Sequence, residues 1–399
     1  MDPADLQMHD LANNTPASLR YWLQLALTDG IGPILSKRLV ESTGSAEGAC
    51  GASVDQLANI EGIGSAKARK IAVALQKAER EAEAEMSRCA KAGIGLLCPD
   101  DPAYPLLLRH ISDPPNVLYV RGNLEPRDLH AVAIVGSRKC SFYGREQAER
   151  FGALLAGAGV TVISGGARGI DSSAHRGALS HNNGRTIAVL GSGVDTPYPP
   201  ENEPLFEQIA QRGAVISEFP LGSPPMKENF PRRNRIVSGL SRGVLVIEAD
   251  QRSGALITAR QACDDHGRPV FALPGRVDNP LSFGPHQLIR DGAVLAAGIE
   301  DILEGLGPLP EGAAEPVEII APNLSAPAAS SAPAHLFDLS EPQQAILNAI
   351  GGDSASVDLI VDRSGLDAQT ILKELTFLTL KGLVRRIDGQ TFAARKVAD

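Results

Sequence analysis

The sequence predicts an α/β fold built on a doubly wound, mainly parallel sheet, with a helical N-terminal domain and a C-terminal winged-helix domain. Three observations predict it. Apolar runs of strand length recur between Ala131 and Ala272, with helical segments between them. Two Gly-Ile-Gly turns, each opening a helical segment, repeat in the first quarter of the chain. Beyond Ser340, three helical segments are followed by an Asp388-Gly389 turn.

The first element group spans residues 1–103. Here "TDGIGPILSKRLV" (Thr28–Val40) and "IEGIGSAKARKIA" (Ile60–Ala72) resemble the two copies of a helix-hairpin-helix repeat. In that motif a glycine turn lets backbone N–H groups approach a phosphate. Gly62, Gly64, Lys67 and Lys70 are the secondary nucleic-acid candidates. The alternative is a compact helical cap whose glycines only permit close packing.

Residues 104–306 form the second group, entered through the Pro-punctuated stretch Tyr104–Leu124. Strands are expected at Ala131–Val135, Val160–Ser164, Thr186–Leu190, Ala214–Ser217, Val244–Ile247 and Val270–Ala272. Near-continuous apolar strands alternating with helices such as Arg145–Ala156 and Ala255–Asp265 indicate a parallel sheet covered on both faces. Residues 307–339, with six prolines and no Lys or Arg, read as a linker. Residues 340–395 supply the three helices and hairpin of a winged helix. Its third helix balances Lys373 and Lys381 against Asp367 and Glu374, a poor charge pattern for gripping a duplex.

The chain carries formal charge −9, but the charge is unevenly placed. Ala131–Glu300 holds 18 Lys+Arg against 16 Asp+Glu, leaving 20 against 31 elsewhere. A polyanion would therefore meet the middle. Five scattered cysteines without a CxxC pair argue against a zinc site or a disulfide framework and fit a reducing cytoplasm. No apolar stretch reaches 18 residues, so no membrane span is expected. No metal cluster or nucleotide motif calls for a cofactor.

Ligands of open α/β sheets sit beyond the carboxyl ends of the strands. The first strand is followed by Ser137 and Arg138, and the second by Ser164, Gly165, Gly166 and Arg168. These turns offer backbone N–H groups, hydroxyls and guanidinium groups to an anion. "NFPRRNRIVSG" adds Phe230, Arg233, Asn234 and Arg235 on the approach to a later strand. Guanidinium forks beside an amide suit phosphates and stacked bases. The competing reading is an internal ion pair, to Glu218 or Glu248. Asp171 reads as a helix N-cap, His175 as a packed histidine, and Tyr198 equally as a base-stacking ring or a loop closure.

Several motifs occur together and in order: "GSR", "SGGARGID", "GSGVDTPYP", "ISEFPLG", "FPRRNRIVSGLSRGVLVIEA", "SGALITARQA" and "FALPGRVDNPLSFGPHQLIRDGA". In this series, from about Tyr104 to Glu300, the chain resembles the DNA-processing protein A family (DprA/Smf). The resemblance implies an extended Rossmann-like domain that binds single-stranded DNA, forms a homodimer and loads RecA recombinase during natural transformation. It implies no catalytic residue. It adds Gly254, Pro274 and Gly275 to the candidate contacts. The chain departs from the family's pattern in two places. The Gly193–Pro199 loop lacks a lysine that some members carry, and His286 stands where asparagine is common. Two other classes compete. A nucleotide phosphoribohydrolase would need a Pro-Gly-Gly-x-Gly-Thr loop and a nearby glutamate, where this chain has Ser-Gly-Gly-Ala-Arg-Gly. A regulator reading duplex DNA would act through the winged helix. The expectation is therefore that Arg138 and the Arg233/Arg235 pair converge on one open cleft.

Overall fold

The structure is a computed structural model. It describes residues 16–307 and, further on, residues 341–350, 354–367, 370–371, 374–375, 378, 383–386 and 391–394. By contacts the chain divides into two units, Met1–Ile320 and Ala321–Asp399.

The first unit begins with helices α1 (Leu19–Leu27), α2 (Pro33–Thr43), α3 (Ala46–Cys50), α4 (Val54–Ala58) and α5 (Ser65–Ala92). Both Gly-Ile-Gly turns open helices: Gly32 is the N-cap of α2 and Gly64 of α5. Gly30 and Gly62 take left-handed φ values of 83° and 91°, which only glycine adopts without strain. α5 runs 28 residues. Its buried positions Ala68, Ile71, Leu75, Ala78, Ala82, Glu85 and Cys89 follow a helical period, and Ala68, Ile71, Leu75, Ala82 and Cys89 build the core of this region with Leu23, Leu39 and Leu57.

A nine-stranded sheet follows, ordered β1-β2-β6-β5-β4-β3-β7-β8-β9. Its parallel part comprises β3 (Ala131–Val135), β4 (Thr161–Ser164), β5 (Thr186–Val189), β6 (Ala214–Ser217), β7 (Gly243–Val246), β8 (Val270–Ala272) and β9 (Val294–Leu295). β1 (Gly95–Leu97) and β2 (Leu118–Gly122) add an antiparallel edge, so the Pro-rich connection contains a strand that its sequence conceals. Alternate residues separate the two faces. Val132, Ile134, Val162 and Leu245 meet α7 (Phe142–Gly157) and α8 (Ile170–Ser180) through Phe151, Leu155 and Ala174. Ala133, Ile163, Val189 and Val246 belong to the opposite cluster, with α10 (Asn229–Leu240) and α11 (Ala255–Arg260). α6 (Leu106–Arg109), α9 (Glu203–Arg212), α12 (Phe283–Arg290) and α13 (Ile299–Leu306) are the other α-helices among the described residues of this unit. Each large apolar side chain buried this way contributes about 1.5–3 kcal/mol.

The chain winds from β3 outward through β4, β5 and β6, then crosses to the other side of β3 to place β7, β8 and β9. The order therefore reverses between β3 and β7, which makes the crevice at their carboxyl ends the natural ligand site.

The second unit contains α14 (Glu341–Ile350), α15 (Val357–Ser364) and an antiparallel sheet ordered β10-β12-β11, with β10 (Ser354–Ser356), β11 (Val384–Arg386) and β12 (Thr391–Ala394). Ile346, Ile360, Leu375, Leu378 and Phe392 form its core. Lys373, Lys381 and the Asp388-Gly389 turn lie outside the described residues.

Candidate nucleic-acid interface

A cleft of about 790 Å³ opens at the switch point. Gly136–Lys139 after β3, Gly165 and Ala167 after β4, Tyr198 after β5, and Asp250 and Arg252–Gly254 after β7 line it, with Asp171 at the start of α8 (Ile170–Ser180). Pro225, Lys227 and the first turns of α10 complete the wall. Five cations (Arg138, Lys139, Lys227, Arg233 and Arg252) face two carboxylates, Asp171 and Asp250. The cleft thus carries net positive charge in a chain that is acidic overall.

Arg138 and Lys139 are exposed at the mouth. The Arg138 guanidinium lies 4.8 Å from the centroid of Phe230, and Phe230 meets Tyr198 at 5.9 Å with the rings tilted by 52°. Arg168 stands at the outer rim, 5.6 Å over Tyr198 and ion-paired with Glu201. Guanidinium planes beside aromatic faces provide charge for a phosphate and flat surface for a base.

Arg233 forms the floor. It is 3% exposed, and its Nη1 donates to the Val189 carbonyl. Its Nε is buried without a hydrogen-bond partner among the described residues. Burial pushes its pKa down to about 10, against the pull of Asp171, so it remains charged at neutral pH. Burial likewise raises the Asp171 carboxyl, opposed by Arg233. Gly165 makes this arrangement fit: a Cβ there would lie 2.6 Å from both Arg233 Nη2 and Asp171 Oδ2. A buried guanidinium with an unused donor is costly to leave alone and is suited to an incoming anion.

Asn234 lines the cleft and donates to the Gly254 carbonyl at 3.3 Å. Gly254 itself has open space around it.

The remaining expected residues sit elsewhere. Arg235 is 6% exposed and sealed against acidic neighbours: Nη1 and Nη2 donate to Glu218 at 2.9 and 2.7 Å, and Nε reaches Asp113 Oδ2 at 2.9 Å. The competing ion-pair reading therefore holds for Arg235, with Glu218 as the partner. The cause is helix phase. Residues 229–240 are helical, so side chains two apart point about 200° away from each other. Arg233 faces the cleft and Arg235 turns from it.

Ser164 is fully buried, and its hydroxyl donates to the Ile134 carbonyl at 2.6 Å, tying β4 to β3. Gly166 packs against Phe206. Pro274 and Gly275 lie outside the cleft lining; His286 Nε2 stands 3.0 Å from the Gly275 carbonyl. Ser137 lines the cleft, but its N–H donates to the Glu248 carbonyl and its Oγ accepts from the Lys139 N–H. The Ala167 N–H goes to Asp171 at 3.3 Å. Backbone N–H groups expected to face an anion are thus used internally at these positions, and side chains carry the charge. Asp171 is not an N-cap: Gly169 occupies that position, and Asp171 reaches back to Ala167. His175 is packed. Thr186 Oγ1 donates its proton to the Val162 carbonyl, so His175 Nδ1 donates to Thr186 at 2.7 Å. Gly62, Gly64, Lys67 and Lys70 stand apart from the cleft lining, with Lys67 Nζ 3.4 Å from the Gly62 carbonyl.

Lys139, Lys227 and Arg252 were not singled out from sequence. Lys139 directly follows Arg138, whereas Lys227 and Arg252 are lone basic residues in loops that only the fold gathers. Lys227 supplies an ammonium group to a cleft whose Gly193–Pro199 loop has none.

The comparisons with known proteins follow the same organisation. Residues 95–307 match the family described as DNA recombination-mediator protein A. Residues 327–390 match the DprA winged helix domain, and residues 24–77 a SAM-like helix-hairpin-helix tandem. Protein Smf of Synechocystis sp. is 36% identical over 405 residues, spanning 96% of this chain and 100% of the relative. Protein Smf of Escherichia coli is 42% identical over 74% of this chain and 76% of the relative. The X-ray structure of DNA processing protein A from Streptococcus pneumoniae superposes with a TM-score of 0.62 at 35% identity, over 71% of this chain and 97% of that one. The chain belongs to the DNA recombination-mediator protein A (DprA/Smf) family.

Proposed function

We propose that this protein is a DNA-processing mediator that binds single-stranded DNA in the switch-point cleft, without catalysing a reaction on it. The observation that carries this reading is the cleft's composition. Arg138, Lys139, Lys227 and Arg252 stand exposed around the buried Arg233, with Phe230 and Tyr198 between the charges. Phosphates would meet guanidinium and ammonium groups, while bases stack on the two rings. Ser137, Asn234 and Gly254 would make lesser contacts.

Two further parts of the reading come from family membership. The protein would hand its strand to RecA recombinase during transformation or recombination in the cytoplasm. It would also act as a homodimer. The outer strand of the sheet, β9, supports the latter, because Val294 and Leu295 are 40% and 46% exposed on an edge that no further strand covers among the described residues.

The test is a fluorescence anisotropy titration of the full chain with single- and double-stranded oligonucleotides across a salt series. About four neutralised phosphates give a slope of roughly −2.8 in log K against log salt for the single strand. Equal affinity for the duplex, or a flat salt response, contradicts the reading.

A further inference from the structure

Two loops of the cleft wall do not rest on the sheet alone. The loop after β5 leads to Tyr198, and the loop after β6 leads to Lys227 and Phe230. Both insert apolar residues into the core of the helical region: Val194 and Leu221, 0% and 7% exposed, pack in one cluster with Leu75, Ala82 and Cys89 of α5. The loops are also joined to each other. The Gly222 N–H donates to Asp195 Oδ1 at 2.8 Å, and the Gly193 N–H to the Ser223 carbonyl at 3.0 Å.

One polar contact ties this pair of loops to α5. Glu85, 4% exposed, accepts the Leu221 N–H through Oε1 at 2.7 Å. Its other oxygen, Oε2, accepts from Arg88 Nη1 at 2.8 Å. A buried carboxylate is retained only where hydrogen bonds and a counter-charge satisfy it. Here both oxygens are used, and one of them is used on a loop from another part of the fold. Apolar packing at Val194 and Leu221 resists separation but is not directional. The hydrogen bond to Leu221 fixes the direction in which the loop leaves α5, and hence where Lys227 and Phe230 arrive.

We propose that Glu85 is a positioning residue for the nucleic-acid cleft: the helical region holds the Tyr198 and Lys227 loops from behind and so sets affinity without touching the strand. This inference rests on the single-stranded DNA reading, which assigns the cleft its ligand. It gives the helical region a task that Gly62, Gly64, Lys67 and Lys70 do not require.

The experiment uses the full chain with Glu85→Ala and Glu85→Gln. Hydrogen–deuterium exchange reads the tether directly, independently of any ligand. Glu85→Ala is expected to speed amide exchange in 191–199 and 218–228 by about tenfold, the factor for one lost charged hydrogen bond. Glu85→Gln keeps an acceptor for Leu221 and is expected to lie between Glu85→Ala and wild type. If Glu85→Ala fails to fold, Glu85→Gln carries the comparison against wild type.

Single-stranded DNA titration then reads the consequence. Glu85→Ala is expected to weaken binding about tenfold, and by no more than about twofold in a Lys227→Ala background, because coupled residues are not additive. A merely structural defect would lower affinity equally in both backgrounds. Unchanged exchange in the two loops, or equal losses in both backgrounds, overturns the proposal. So does a Lys67→Ala/Lys70→Ala variant that reduces the salt slope while Glu85→Ala leaves affinity intact. Should the wild-type chain not bind the oligonucleotide, the functional reading fails, while the exchange result still decides whether the tether exists.

Discussion

Replacing Arg235 by alanine separates stability from binding most sharply, because Arg233 and Arg235 are so close in sequence and so differently placed. The Arg235 guanidinium makes two hydrogen bonds to the Glu218 carboxylate, a third contact to the Asp113 carboxylate, and a bond from Nη1 to the Arg232 carbonyl at 3.0 Å. The side chains of Arg235 and Glu218 are 7% and 6% exposed. Removing the cation therefore leaves Glu218 buried without its partner. Breaking a buried pair from one side costs about 3–5 kcal/mol, out of the 5–15 kcal/mol that a domain has in total. Urea denaturation followed by circular dichroism measures the change from the midpoint and slope. The expected result is a loss of about 3–5 kcal/mol, with single-stranded DNA affinity of the folded protein within about twofold of wild type. A variant of unchanged stability that no longer binds would show that Arg235 contacts the ligand, and the helix-phase argument would be wrong. Replacing both partners by apolar residues, Arg235→Met with Glu218→Leu, is expected to recover most of the lost stability, since a well-packed apolar pair can equal a buried ion pair.

Three other outcomes follow from the cleft and its surroundings. Arg138→Ala, at an exposed position, is expected to weaken single-stranded DNA binding by about 1.5–3 kcal/mol and to flatten the salt slope by about 0.7. Its urea midpoint should stay at the wild-type value. Gly165→Ala places a Cβ against Arg233 and Asp171, where it has no room. Overpacking of this kind costs about 1–3 kcal/mol, and displacement of Arg233 should lower affinity in the same titration. Burial pushes His175 down to about 3 and His130 down to about 4, from an ordinary value near 6.5. Between those values and 6.5 the unfolded chain binds protons that the folded chain refuses. Stability is therefore fully present above about pH 6.5 and falls as pH drops towards 4, by about 1.4 kcal/mol per pH unit for His175 alone. Asp171, raised by burial, acts in the opposite sense. His175→Gln should remove the His175 share of this slope and leave that of His130; an identical acid profile for that variant would contradict the assignment.

The sheet was legible because its strands are buried on both faces. "AVAIV", "AVIS" and "GVLV" have no solvent side, so they read as unbroken apolar runs. The antiparallel edge was not legible. β1 and β2 are three and five residues long, amid prolines, and β6, the strand that joins β2 to the sheet, is distant in sequence. Local composition does not record such a contact.

The site divides in the same way. Glycine-bearing loops at strand ends led to Ser137, Arg138 and Gly165, because the winding of the sheet brings those ends together. Arg235 misled because the sequence presents the stretch only as an approach to the next strand, with Arg233 and Arg235 as a pair. Pro231 instead occupies the first turn of α10, where a missing N–H costs nothing. Once the segment is helical, Arg233 and Arg235 must diverge. Lys227 and Arg252 had no local signature, since a single basic residue in a loop gains its meaning only from what the fold places opposite it.

The location of the strand is the central claim, and cross-linking tests it most directly. The full chain is bound to a single-stranded oligonucleotide carrying 5-iododeoxyuridine, irradiated, digested and mapped by mass spectrometry. Adducts should fall on Phe230 and Tyr198, the rings set between Arg138, Arg168 and Lys227. Adducts confined to residues 16–92 or 341–394, with none on the peptides bearing Phe230 and Tyr198, would place the strand elsewhere and contradict the account.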